Sequence, residues 1–291
     1  MEQKDSKVVR FLFDNHGVRG EYVSLNDSCR QLIENHNYSE PVASLMQDLA
    51  VIAVAIASTV KIDGQIMLQI RGGKGDKALK SAIININNNL KFYGSASLVD
   101  GNIYDNDATF QDLIGENGFL HLTFLPHHGK RFEGIVELEG DTLAKAFENY
   151  FLKSEQLYTK FFLFSDKKSL HAAGIMLQII PNIDGNNESL DHLSILSETM
   201  TFEEIFSLPY TEILRRLFVH EDVRVFEPKA VSFECICSHA RCLNSIATLP
   251  LNDIKDLSKK DEGIEMTCQH CNRKYHLSQK EIKDLALKNS Q

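Results

Sequence analysis

The sequence predicts an α+β protein: an N-terminal mixed sheet with packed helices, an acidic helical linker, and a small cysteine-bearing domain at the C-terminus. Three observations lead there. Segments alternating apolar and polar residues recur between residues 8 and 180, interleaved with helical patterns. The composition then turns acidic, with ten acidic and four basic side chains in residues 183–232. Four of the six cysteines then fall in two tight pairs, Cys235 with Cys237 and Cys268 with Cys271. These shifts divide the chain into 1–182, 183–232 and 233–291.

Val8 to Phe13 read as a first strand, with Gly17 and Gly20 punctuating the turn after it. A helix is expected over about 26–36. The next helix has clear start signals, Ser39 as cap and Pro41 in the first turn, and runs on to Val60. Lys61-Ile62-Asp63-Gly64 is a turn and Gln65 to Arg71 a strand. Gly72-Gly73-Lys74-Gly75-Asp76-Lys77 lacks the spacing of a phosphate loop and reads as a glycine turn leading to a helix near 76–89. Strands follow at Lys91–Leu98, Gly118–Leu125 and Arg131–Leu138, with His127 and His128 in an exposed loop. Thr142 caps a helix over 142–153 whose Leu143, Ala146, Phe147, Tyr150 and Phe151 share one face. Strands at 159–164 and 171–180 come next. Met67-Leu68-Gln69-Ile70 recurs as Met176-Leu177-Gln178-Ile179. The echo reads either as equivalent neighbours in one sheet or simply as two apolar strands.

Beyond Pro181 the character changes, and Asn182 to Asn187 reads as a linker. Thr201-Phe202-Glu203-Glu204 is a capping box opening a short helix stopped at Pro209. Thr211 caps a second, through about His220, with Ile213, Leu214, Leu217 and Phe218 on one side. Helices this short are marginal alone, so they must lie against apolar surface on a neighbouring domain. An ordinary helical hairpin and a switchable segment both meet that need.

The 291 residues, 43% of them apolar, are enough for a sizeable core. The net charge of −9 argues against a partner held by phosphate contacts. The longest apolar run, Leu49 to Val60, falls short of the roughly twenty residues that span a bilayer, and reads as a buried helix in a soluble protein. Met1-Glu2-Gln3-Lys4-Asp5-Ser6 does not look like a signal peptide, so a cytoplasmic location with reduced cysteines is expected. A disulfide formed there is a signal rather than a staple.

Cys235-Ile236-Cys237 is followed, after thirty residues, by Cys268-Gln269-His270-Cys271. Two such pairs supply four thiolates at the corners of a tetrahedron, the geometry Zn²⁺ takes in closed structural sites. Cys235, Cys237, Cys268 and Cys271 are therefore the expected ligands of one Zn²⁺ per chain, in a small C-terminal zinc-binding domain. His239, Cys242, His270 and His276 lie near enough in sequence to replace a thiolate, but the two pairs already fill four positions. Cys29, in a predicted helix, reads as a small buried residue. No His-Glu-x-x-His motif occurs and an all-thiolate site leaves no open position for substrate, so no catalytic residue is expected.

The first pair is Cys-x-Cys rather than the Cys-x-x-Cys of most zinc ribbons, and with the second pair it resembles the C-terminus of the redox-regulated 33 kDa heat-shock chaperone family. The flanks agree: Phe226-Glu227-Pro228 and Val231-Ser232-Phe233 before the first pair, and Gly263-Ile264-Glu265-Met266 before the second. The likeness reaches the N-terminal part in Leu68-Gln69-Ile70-Arg71-Gly72, Ser154-Glu155-Gln156-Leu157 and Ala173-Gly174-Ile175-Met176-Leu177-Gln178. One departure follows the first pair, where the family's charged Ser-Arg-Glu-Arg-Cys reads Ser238-His239-Ala240-Arg241-Cys242; it touches no ligand position.

The resemblance implies an ATP-independent holdase, not an enzyme, with 1–182 as chaperone core, 183–232 as metastable linker and 233–291 as redox-switch zinc domain. The reduced, zinc-bound form would be inactive. Oxidation would close Cys235–Cys237 and Cys268–Cys271, pairs near enough in sequence to form local disulfides, and release the zinc. The linker would then unfold and expose a surface for unfolded or oxidatively damaged client proteins, the active form being a homodimer. Neither nucleic acid nor membrane is expected as a partner. The competing reading is a zinc-ribbon module that docks a protein or nucleic-acid partner.

Overall fold

Strand β1 (Lys7–Phe13) pairs antiparallel with β2 (Val18–Leu25), and this hairpin belongs to the first of two six-stranded sheets. The computed structural model describes residues 5–60, 63–75, 78–99, 104–181 and 187–288. The chain divides into two units, Met1–Glu234 and Cys235–Gln291.

In the larger unit, α1 (Asp27–Ile33) and α2 (Glu40–Thr59) lead to β3 (Gly64–Arg71), β4 (Ser81–Asn87) and β5 (Lys91–Ser97). Next come α3 (Phe110–Ile114), β6 (Phe119–Pro126), β7 (Phe132–Glu137), α4 (Leu143–Tyr150), β8 (Thr159–Asp166) and β9 (His171–Ile179). Three helices follow, α5 (Asn187–Glu198), α6 (Phe202–Ser207) and α7 (Tyr210–Leu217), then the short strands β10 (Val223–Val225), β11 (Lys229–Ala230) and β12 (Ser232–Phe233). The first sheet has the order β10-β1-β2-β9-β8, with β11 also on β1; the second runs β12-β5-β4-β3-β6-β7. β12 joins β5 in parallel, so the segment that leads to Cys235 ends as an edge strand of the second sheet.

Helix α2 lies between the sheets. Leu45, Met46, Leu49, Ile52 and Ile56 are buried with Leu68, Ile84 and Ile86 from one sheet and Val8, Val23 and Met176 from the other. By length and composition α2 could cross a membrane, but most of it is buried inside the protein, as befits a core helix.

The first sheet is apolar on its other face as well. Val9, Phe11, Phe13, Val18, Tyr22, Ile175 and Leu177 form a second core with Leu190 and Leu193 of α5, Ile205 of α6, Ile213 and Leu214 of α7, and Phe218. Strand β9 is accordingly buried along nearly its whole length instead of on alternate residues. Three short helices thus cover a sheet face, each anchor contributing about 1.5–3 kcal/mol of burial.

The strands expected at Lys91–Leu98, Gly118–Leu125 and Arg131–Leu138 form as β5, β6 and β7 within a residue or two. Thr142 accepts from the Lys145 N–H, and the Thr201–Glu204 capping box closes. Other elements differ. The helix expected near 76–89 is strand β4, in which Ala82, Ile84 and Ile86 turn inward at a period of two. Gly20 ends no turn: it sits within β2, where a Cβ would stand 2.0 Å from Phe11 Cζ, so it is there to admit the ring. The echoed segments fall on β3 and β9, which belong to different sheets and are not neighbours. Helix α7 starts directly behind Pro209, not at Thr211, and α5 has no counterpart in the sequence pattern. Ser39 holds the N-cap position of α2 without a side-chain cap bond. His127 and His128 are exposed, with His127 Nε2 3.9 Å from Asp63 Oδ1. Lys61 and Ile62 of the expected turn, Asp76 and Lys77 of the glycine turn, and residues 182–186 of the linker lie outside the described residues.

Candidate metal centre

The smaller unit is built on a hairpin of β13 (Ile264–Thr267) and β14 (Lys274–Leu277), in register Ile264↔Leu277 to Thr267↔Lys274. Three helices surround it, α8 (His239–Ala247), α9 (Leu251–Leu257) and α10 (Gln279–Lys288). Its buried core consists of Ile246, Ile254, Leu277, Ile282 and Ala286. A core of this size is marginal for an independent fold, and such modules ordinarily carry a further cross-link or metal.

Local structure places the sulfurs. Cys268 and Cys271 sit on the tight turn joining β13 to β14, closed by Cys268 N–H to Arg273 O at 2.9 Å and Asn272 N–H to Cys268 O at 2.9 Å. The turn needs Asn272 in the left-handed region (φ 54°), which asparagine tolerates better than most residues. Cys235 and Cys237 lie on the extended segment entering the unit, and Ser238 ends it by capping α8 through the Arg241 N–H. Gly263 (φ 73°) opens the hairpin where a Cβ would stand 2.2 Å from Leu277 O.

The four Sγ atoms lie within 4.8 Å of one another. Cys235 to Cys268 is 3.6 Å and Cys237 to Cys271 is 3.4 Å, both contacts running across the two sequence pairs. All six cysteines are free thiols. Tetrahedral zinc with Zn–S bonds of about 2.3 Å needs sulfurs roughly 3.8 Å apart. The donor set therefore fits a thiolate-bound metal such as Zn²⁺ in both chemistry and spacing.

Thiols this close share charge. Burial pushes Cys235 and Cys271 up, with neighbouring sulfurs adding to the effect. At Cys237 burial acts the same way, but hydrogen bonds from Tyr275 and the adjacent thiols outweigh it and bring the group down. A cation at the centre is what would let all four ionise together.

His239, Cys242, His270 and His276 are not in this cluster. His239 Nε2 lies 3.4 Å from Glu281 Oε1 and 3.2 Å from His276 O, and Cys242 packs beside the small core. Cys29 is fully buried in the larger unit, among α1, α2 and the sheet residues. Two residues near the sulfurs escape sequence reasoning. Tyr275 donates its hydroxyl to Cys237 Sγ at 3.1 Å, and Arg273 hydrogen-bonds Tyr275. Only the hairpin register reveals them.

Comparison with known proteins finds relatives along nearly the whole chain. The family model described as Hsp33 protein matches residues 6–278. The chain is 40% identical over 285 residues to the 33 kDa chaperonin of Yersinia pestis (strain Pestoides F), covering 97% of this chain and 95% of that one. The 33 kDa chaperonin of Yersinia pseudotuberculosis serotype O:1b (strain IP 31758) gives the same identity and coverage. The crystal structure of the 33 kDa chaperonin of Thermotoga maritima superposes with a TM-score of 0.81 over 98% of this chain and 99% of that one. At 17% identity this last match speaks for the fold.

Proposed function

This chain belongs to the Hsp33 family, a family of chaperones, and we propose that it works as a redox-regulated holdase that binds unfolded or oxidatively damaged proteins without ATP. The observation that carries the proposal is the set of four free thiols within 4.8 Å. In the resting form Cys235, Cys237, Cys268 and Cys271 hold one Zn²⁺, which supplies the cross-link that the small core of 235–291 lacks. Thiolates are the form that oxidants attack, so the same four sulfurs serve as structural ligands and as sensor.

Oxidation to Cys235–Cys237 and Cys268–Cys271 disulfides removes the charge that binds the metal. The hairpin unit then loses about 10–16 kcal/mol of metal-linked folding free energy, more than its core can replace. Only Glu234 separates Cys235 from β12, an edge strand two residues long, and β10 and β11 tie the same segment to β1. Disorder entering at Cys235 meets little resistance along this path. Helices α5 to α7 then detach, and the Phe11, Phe13, Tyr22, Ile175 and Leu177 face becomes available to apolar client segments. In this account 1–182 is the chaperone core, 183–232 the metastable linker and 233–291 the switch. The protein acts in the cytoplasm, and the oxidised form is a homodimer.

The test is zinc content measured with suppression of thermal aggregation of a client protein, before and after hydrogen peroxide. One zinc per chain when reduced, lost as aggregation suppression appears, is the expected result. Zinc retained under peroxide, with no gain of activity, would leave a structural zinc module and refute the switch.

A further inference from the structure

Three of the four clustered sulfurs receive a hydrogen bond from the backbone N–H two residues further on: Cys235 from Cys237, Cys268 from His270 at 3.4 Å, and Cys271 from Arg273. Cys237 is served by a side chain instead. The Tyr275 hydroxyl donates to its sulfur at 3.1 Å, and the Arg273 guanidinium hydrogen-bonds the same hydroxyl. Tyr275 is fixed opposite Met266 in the β13–β14 ladder, so the donor comes from the rigid strand and not from the turn that carries Cys268 and Cys271.

We propose that Tyr275, held by Arg273, is a positioning residue that restrains attack of Cys237 on peroxide and so decides which cysteine reacts first. The inference rests on the reading of the cluster as a peroxide-sensitive zinc site. A hydrogen bond to a metal-ligating group orients it and draws electron density from it, which lowers its nucleophilicity. The backbone donors cannot be altered by side-chain change, whereas Tyr275 can, so the restraint on Cys237 is open to substitution.

The chemistry restrained is a two-electron oxidation. A thiolate sulfur attacks one oxygen of hydrogen peroxide, the O–O bond breaks, hydroxide leaves and a sulfenic acid forms. A second thiolate attacks that sulfur, the S–O bond breaks, the S–S bond forms and a second hydroxide leaves. Two thiolates lose two electrons, and the peroxide is reduced to two hydroxides.

The full-length, zinc-loaded protein is compared with Tyr275→Phe and with Arg273→Met. Two quantities are measured: zinc release against peroxide concentration, and the distribution of a sulfenic-acid-trapping label among the four cysteines at early times. In Tyr275→Phe the second-order rate of peroxide-driven release should rise about tenfold, the low end of the range for outer-shell substitutions. The share of early label on Cys237 should rise with it, and Arg273→Met should shift both in the same direction by less. Equal gains of label on all four cysteines would mean that the variants merely loosen the hairpin, and an unchanged distribution would mean that Tyr275 restrains nothing; either overturns the proposal. Should the wild type carry no zinc, or keep it under peroxide, the underlying switch falls as well.

Discussion

Phe218 meets Phe13 edge-on, with ring centroids 4.7 Å apart, at the point where the helical segment is fastened to the first sheet. Phe11 lies against both rings. Phe218 follows α7 directly and is 2% exposed, so the end of the helical cover is anchored by one ring in an aromatic cluster. Phe218→Ala should cost about 3–5 kcal/mol of local stability, as deletion of a buried ring does. The expected result is faster proteolysis within 187–225 and aggregation suppression without oxidant. Unchanged proteolysis would show that α5 to α7 hold without this anchor.

Glu221 spans two histidines, with His16 Nε2 at 2.7 Å and His192 Nε2 at 2.8 Å, and so ties the β1–β2 turn to α5. Ser189 faces the other nitrogen of His16, while the neighbouring Asp222 is paired with Asn15 and Arg224 with Asp14. The bond from His192, and then that from His16, holds the Glu221 carboxyl below its ordinary 4.5. A depressed carboxylate stabilises the fold above its unfolded value and loses that contribution as pH falls through the folded one. Glu221→Gln should therefore lower the melting temperature near neutral pH, and the gap should close as pH drops below the ordinary 4.5. A gap independent of pH would assign the loss to packing.

Asp48 has the opposite sign. It lies on α2 with Oδ1 buried and unpartnered among the described residues. Burial, partly offset by a hydrogen bond from Ser165, pushes its carboxyl up from 3.8 to about 7. The folded state then keeps a proton that the unfolded chain has released, so stability falls as pH rises from 3.8 to about 7. Asp48→Asn should melt higher than the wild type above that window, with the difference shrinking toward its acid end. A constant difference across pH would contradict the buried protonated acid.

Cys242 is the control for the proposed metal site, since it packs beside the small core and lies outside the four-sulfur cluster. Cys242→Ser should keep one zinc per chain by elemental analysis, with only a modest loss of stability. Cys237→Ser and Cys271→Ser should lose metal affinity and, with it, the dispersed amide signals of 235–288. Retention of zinc by either of these two would remove its sulfur from the ligand set.

That the four cysteines come together was legible because paired cysteines announce themselves by spacing along the chain, and spacing is what a sequence displays. Most strands were legible from their alternation. Strand β2 was not, because Gly20 in it looks like a turn and is in fact the gap that Phe11 fills. Strand β4 was hidden by Ile83, an apolar residue on its outward face, and by Asn85 and Asn87, which fit the period of two but are poor strand formers. Tyr275 could not be found at all, since its reach to Cys237 depends on the β13–β14 register and on the path of the segment carrying Cys235 and Cys237. Nor does any local pattern say that α5 to α7 cover the Phe11 face; that is a long-range fact of packing.

In the proposed switch, thiol oxidation uncovers the first sheet. Hydrogen exchange of the full-length protein, read peptide by peptide before and after peroxide, tests it most directly. Oxidation should abolish protection across 187–217 and 264–277 while the β2–β9 ladder stays protected. Loss of protection in 264–277 alone, with α5 to α7 still protected, would contradict it.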